Sequence, residues 1–216
     1  MIKVTNLCKA YGSTVALDNV SFEVDDGHIY GLLGPNGAGK STTMNIISGS
    51  IQPDSGHVIL SGMDITKMKE RELSKLRLET IGFIFQSYNL VQNLSVEDNI
   101  LLPELTKGRT RAELKKDLDE ILEITGLSDK RKSMPNELSG GQQQRTAVAR
   151  AVIASPQLIL ADEATGNLDS VSGEEIMKLF ARINKEKNIT ILQVTHSEEC
   201  AAYGTRTVRL ANGQIV

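Results

Sequence analysis

The amino-acid sequence predicts an α/β fold with a mainly parallel sheet, and three observations carry that prediction. Short apolar, strand-like runs alternate with longer segments of helical periodicity along most of the 216 residues. One run, Ile29-Tyr30-Gly31-Leu32-Leu33, is nearly continuously apolar, as a strand covered on both faces must be. It leads directly into the glycine-rich loop Gly34-Pro35-Asn36-Gly37-Ala38-Gly39-Lys40-Ser41, which is followed by a helical segment. Strand, glycine loop and helix in that order are the context in which such a loop cradles phosphate.

The elements follow in chain order. Ile2-Lys3-Val4 and Val20-Ser21-Phe22-Glu23-Val24 alternate as short strands, and Asp25-Asp26-Gly27 turns the chain into the apolar strand 29–33. Ser41 to Ser48 reads as a helix stopped by Gly49. His57-Val58-Ile59-Leu60 and Ile81-Gly82-Phe83-Ile84-Phe85 read as strands. From Arg109 to Gly126 the pattern is helical, with Leu114, Leu118, Ile121 and Leu122 on one stripe. Thr110 and Glu113 form a capping box at its start, and Gly126 stops it. Residues 88–135 therefore read as a helical insertion between two parts of an α/β core, 1–87 and 136–216. Ser139 caps a further helix from Gly140 to about Ala154. Leu158 to Ala161 is a buried strand, Ser170 to about Lys187 a helix, and Ile189 to Thr195 another strand.

Composition narrows the function. A net charge of −3 lacks the basic excess of a nucleic-acid binder. Cys8 and Cys200 are too few for a disulfide framework and have no metal-ligand spacing, which suits a reducing compartment. No apolar run approaches the roughly 20 residues needed to cross a bilayer, and the N-terminus has no leader pattern. Action on a membrane process would need a second polypeptide.

The chemistry sits at the loop and at one strand end. Gly34, Gly37 and Gly39 let backbone N–H groups turn towards phosphate oxygens, and the next helix adds its positive end. Lys40 can reach β- and γ-phosphates, and the Ser41 hydroxyl can ligate Mg²⁺. Asp162 ends a buried apolar strand, a place for the second metal contact. Glu163 follows it and can deprotonate the water that attacks the γ-phosphorus.

At Leu138-Ser139-Gly140-Gly141-Gln142, continued by Gln143-Gln144-Arg145, the chain resembles the ATP-binding-cassette (ABC) ATPase family over essentially its whole length. That resemblance implies the P-loop NTPase fold of these ATPases: a mainly parallel core sheet, an N-terminal antiparallel β subdomain and the helical insertion. It implies nucleotide contacts from Gly34 through Ser41 and Thr42, and from Tyr11 as the aromatic under adenine. Ser139, Gly140, Gly141 and Gln142 would face the γ-phosphate held by the opposite subunit, and Asp169 in Asn167-Leu168-Asp169 would touch the neighbour's site. Gln86 would sense Mg²⁺ and water, and His196 would be the switch at the γ-phosphate. The partners implied are ATP, Mg²⁺, a second copy in an ATP-dependent dimer and an integral-membrane permease, with the chain peripheral on the inner face of the cell membrane.

Ile81 through Leu90, Asn99 through Pro103 and Thr165 through Asp169 resemble the lipoprotein-release and macrolide or antimicrobial-peptide exporter branch, the MacB/LolD type. A cell-division-type scaffold with a non-transporting membrane partner is the alternative from another class. Phosphate-loop kinases and GTPases have no use for Leu138 to Gln142. Ala164 departs from the proline commonly found after the catalytic glutamate, which removes a backbone constraint but no functional group.

Overall fold

The computed structural model describes residues 2–216. The first two strands are long rather than short. β1 (Ile2–Tyr11) and β2 (Thr14–Val24) form a hairpin whose alternate residues enter the core. Then come β3 (Ile29–Leu33), α1 (Lys40–Ile47), β4 (Ser55–Leu60), β5 (Met63–Asp64), α2 (Glu70–Thr80) and β6 (Ile81–Phe85). The middle of the chain supplies α3 (Val96–Thr106), α4 (Arg111–Thr125) and α5 (Gly140–Val152). β7 (Leu158–Asp162), α6 (Ser170–Lys187), β8 (Thr190–Thr195), α7 (Glu198–Ala201), β9 (Arg206–Ala211) and β10 (Gln214–Ile215) complete it.

Two sheets result. One is antiparallel, in the order β2-β1-β4-β5; the other runs β10-β9-β3-β8-β7-β6. In the second, β9, β3, β8, β7 and β6 are mutually parallel and only β10 runs against its neighbour. This is the predicted mainly parallel core sheet with an antiparallel β layer. β3, β8 and all but the last residue of β7 are buried, which explains their unbroken apolar sequence. One core cluster joins the β layer to α1 and one face of the parallel sheet, with Leu7, Val20, Leu32, Ile47 and Leu160 in it. The other joins the opposite face to α3 through α6, with Ile100, Leu118, Val148, Ile159 and Phe180.

Local signals account for most boundaries. Thr110 and Glu113 close the expected capping box on α4, and Gly126 ends it in the left-handed conformation at φ 65°. α5 ends at Val152, short of the expected Ala154. α2 and α3 were not expected as separate helices. α3 starts on Ser95, whose Oγ accepts from the Asp98 N–H, and tolerates Pro103 in its second half. Of the apolar residues after Gln86, Leu90 is core while Val91 is exposed. Buried Asn99 folds that segment back, accepting from Val91 N–H and donating to the carbonyls of Val91, Leu94 and Ser95.

Candidate nucleotide site

Four neighbouring parallel strands end side by side, and each delivers a candidate residue. β3 runs into Gly34, β8 into His196, β7 ends on Asp162 and continues to Glu163, and β6 runs into Gln86. In open parallel sheets this carboxyl edge is where ligands bind.

The glycine loop is shaped by what surrounds it. A Cβ on Gly34 would lie 2.2 Å from the Leu210 carbonyl oxygen. One on Gly39, at φ 98°, would lie 2.5 Å from the Ala16 carbonyl oxygen. Both positions exclude any side chain. Lys40 is buried, and its ammonium donates to the carbonyls of Gly34 and Pro35 at 2.7 and 2.9 Å, so a cation stands inside the curve of the loop. Ser41 is exposed at the start of α1, with Thr42 half-buried beside it. Asn36 is exposed and Ala38 buried. A cationic loop opening onto a helix N-terminus suits a polyphosphate.

The acid pair faces this loop electrostatically. Burial pushes the Asp162 carboxyl up, the adjacent Glu163 charge adds to that, and the Lys40 charge opposes it. A carboxylate so strained as an anion fits a site completed by a cation. No cluster of three His, Cys, Asp or Glu ligands exists among the described residues, so Mg²⁺ here would depend on Ser41, Asp162, Gln86 and the phosphates themselves. Glu163 lies at φ 45°, uncommon for a non-glycine residue. Its Oε1 is 3.4 Å from His196 Nδ1. Its backbone N–H donates to the Val194 carbonyl at 3.0 Å and its carbonyl accepts from Gly166 N–H at 2.9 Å.

Gln86 is exchanged with the loop that follows Glu163. Its Nε2 donates to Asn167 Oδ1 at 3.1 Å, and Asn167 Nδ2 donates back to the Gln86 carbonyl at 3.0 Å. Asp169 caps α6, its two oxygens accepting from the Ser172 N–H and hydroxyl. Those contacts hold its carboxyl below the usual range. Ser139 caps α5 in a full box with Gln142. Both predicted motif residues therefore act as local caps as well.

Two cavities border the strand ends. One of about 560 Å³ is lined by Glu163, Asp169, Met177, His196 and Cys200, among others. A second, about 340 Å³, is shared by Gly34, Pro35 and His196. Ser139 through Gln142 line neither; Gly140 packs towards Tyr88 and Leu168, and Gly141 towards Ser172. The structure thus brings Gly34–Lys40, Asp162, Glu163, Gln86 and His196 to one edge and leaves the Ser139 helix start outside it. Tyr11 ends β1 half-exposed, with the Lys9 ammonium 5.6 Å from its ring centroid.

Sequence reasoning passed over three supports of this site. Asp54 accepts from Lys9 Nζ and Ala10 N–H, both at 2.7 Å, and so fixes the strand end that carries Tyr11. Arg150 donates to the Tyr88 and Asn89 carbonyls, holding two consecutive left-handed residues just after Gln86. Gln144, fully buried, donates to the Ala164 carbonyl. Gln144 was noted only as part of the run that continues Leu138–Gln142, and the partners of all three became visible only once distant segments met.

A family model described as "ABC transporter" matches residues 17–166. The lipoprotein-releasing system ATP-binding protein LolD of Bacteroides thetaiotaomicron is 39% identical over 100% of this chain and 99% of its own length. The methionine import ATP-binding protein MetN of Rhizobium johnstonii is 43% identical over 92% of this chain, which spans 55% of that longer protein. Among solved structures, the dimeric post-hydrolysis state of the ATP-binding cassette MJ0796 bound to ADP and Pi superposes with a TM-score of 0.89. It is 38% identical, with 100% of this chain and 96% of that one covered.

Proposed function

This chain belongs to the ABC transporter family and is one of its ATPases, and from that premise we propose that it dimerises on Mg-ATP to drive a separate membrane permease. One observation carries the reading: the phosphate loop and hydrolytic candidates share an edge from which Ser139–Gln142 is absent. A second copy, arriving head to tail, would supply that missing anion-binding helix start. That the similar cassette is dimeric with ADP and Pi bound supports a two-chain assembly.

Each residue then has a task. Tyr11 stacks under the adenine. Gly34, Pro35, Asn36, Gly37, Ala38 and Gly39 wrap the phosphates with backbone N–H groups, and Lys40 leaves its two carbonyl partners for the β- and γ-oxygens. Ser41 and Thr42 stand at the helix start, and Ser41, Asp162 and Gln86 would hold Mg²⁺, which would supply positive charge against the phosphate oxygens. Glu163 accepts a proton from the attacking water. Water oxygen bonds to the γ-phosphorus as the bond to the β–γ bridging oxygen breaks, leaving ADP and phosphate. His196, 3.4 Å from Glu163, orients that carboxylate and contacts the γ-phosphate. Ser139, Gly140, Gly141 and Gln142 close on the neighbour's nucleotide, with Asp169 at the same seam.

No described helix is long and apolar enough to cross a membrane. We assign residues 88–135 as the helical subdomain that delivers the motion to the permease, and a position on the inner face of the membrane. A groove of about 510 Å³ lined by Leu78, Phe83, Phe85 and Pro103 is mainly apolar, with two arginines, Arg77 and Arg150, in its lining. It suits an amphipathic helix of the permease. The full-length likeness to a lipoprotein-releasing ATPase supports an exporter or mechanotransmission system, although an import ATPase is as similar in sequence. The test is specific ATPase activity against chain concentration. It rises with concentration if two chains build each site; a constant value would sink the shared-site reading.

A further inference from the structure

Gln144 is fully buried one turn and a half into α5, the helix capped by Ser139. Its Nε2 donates to the Ala164 carbonyl at 2.6 Å and approaches the Phe85 carbonyl at 3.5 Å. Its Oε1 has no partner among the described residues. Two carbonyl oxygens on one side fix the orientation of the amide, because the reversed rotamer would place oxygen against oxygen. The two carbonyls belong to the residue after Glu163 and the residue before Gln86.

Glu163 needs such support. Its left-handed backbone at φ 45° persists only if its surroundings over-determine it. Glu163 N–H is held by the Val194 carbonyl and its carbonyl by Gly166. The following peptide, between Ala164 and Thr165, is held by Gln144 at its carbonyl, and no proline ring constrains position 164, since alanine stands there.

We propose that Gln144 is a positioning residue for hydrolysis: from the Ser139-capped helix it holds the Ala164 carbonyl and, through it, the direction of the Glu163 carboxylate. The same helix presents Ser139, Gly140 and Gly141 to the neighbouring subunit, so Gln144 ties the half-site offered to one nucleotide to the carboxylate that acts on the other. This rests on Glu163 being the group that accepts the water proton.

The test compares steady-state kinetics of Gln144→Met, Gln144→Glu and Glu163→Gln with the parent chain. Gln144→Met keeps the shape and removes the donor; kcat should fall about ten- to a hundredfold, the scale of a small misplacement at a reacting group, with KM for ATP unchanged. Gln144→Glu restores a donor only while its carboxyl is protonated. Its kcat relative to the parent should therefore be highest near about pH 6 and decline towards about pH 9, within the range that burial gives such an acid. A kcat equal to the parent's in Gln144→Met overturns the proposal. So does a Gln144→Glu deficit that ignores pH, which would mark a packing role only. If Gln144→Met fails to fold, the pH profile of Gln144→Glu decides alone. Retained turnover in Glu163→Gln would instead remove the catalytic assignment of Glu163 itself.

Discussion

Tyr11 presents half its surface to solvent at the end of β1. Lys9 lies over the ring, and Asp54 fixes Lys9 and the Ala10 N–H, so the ring proposed to stack on adenine is held in place. Tyr11→Ala should raise KM for ATP about five- to tenfold, roughly 1–1.4 kcal/mol of lost stacking, and leave kcat near the parent value. Steady-state kinetics decide it; an unchanged KM would place the adenine elsewhere. Gly34→Ala should do more damage, because a methyl 2.2 Å from the Leu210 carbonyl oxygen forces the strand end and the loop apart. A loss of roughly 2–3 kcal/mol of stability is expected together with loss of ATP binding, measured by denaturant unfolding and nucleotide titration.

At the scale of elements, α3 is held by charge. Glu97 is buried and accepts from Arg131 Nε at 2.5 Å and from Lys132, while Asp98 faces Arg111 and buried Glu104 faces Lys107 and Arg109. Burial would raise all three carboxyls, but the hydrogen bonds and charges of these cations, joined at Asp98 by hydrogen bonds from Ser95, outweigh it and hold them below their ordinary values. A carboxyl depressed in the folded state contributes stability that is complete above its unfolded value and is lost as pH falls through the folded one. The melting temperature should therefore be level near neutrality and drop below about pH 4.5, the ordinary glutamate value. Glu97→Gln should flatten that acid slope and cost about 1–3 kcal/mol at neutral pH, seen in thermal unfolding across pH. An acid slope equal to the parent's would show that other groups govern it.

These elements also mark how much a one-dimensional reading can reach. β3, β6, α4 and α6 were legible because apolar runs, capping boxes and a terminal glycine are local signals. α2 was missed because its sequence is mostly charged with only Leu73 and Leu76 buried, and α3 because Pro103 interrupts its pattern. Candidate residues were legible at strand ends, where position beside the phosphate loop pointed to Asp162 and Glu163, and the family resemblance added Gln86 and His196. The supporting roles of Gln144, Arg150 and Asp54 were not, because they are defined by partners 20, 62 and 45 residues away.

At the scale of the molecule, two surfaces are the proposed seats of other chains. The groove beside Phe83 and Arg150 is the proposed seat of a permease helix. Phe83→Asp should leave basal ATP hydrolysis intact and abolish co-purification with the permease from membranes; retained co-purification would move the seat elsewhere. The second surface is the Ser139 helix start, which lies outside the cavities around Gly34 and Glu163. ATP would act as the glue between copies through its higher affinity for the closed pair. Size-exclusion chromatography of Glu163→Gln at saturating Mg-ATP tests this most directly, because blocked hydrolysis keeps the nucleotide in place. The account predicts a stable dimer with Mg-ATP and a monomer without it; a variant that stays monomeric with Mg-ATP bound would contradict the two-chain site.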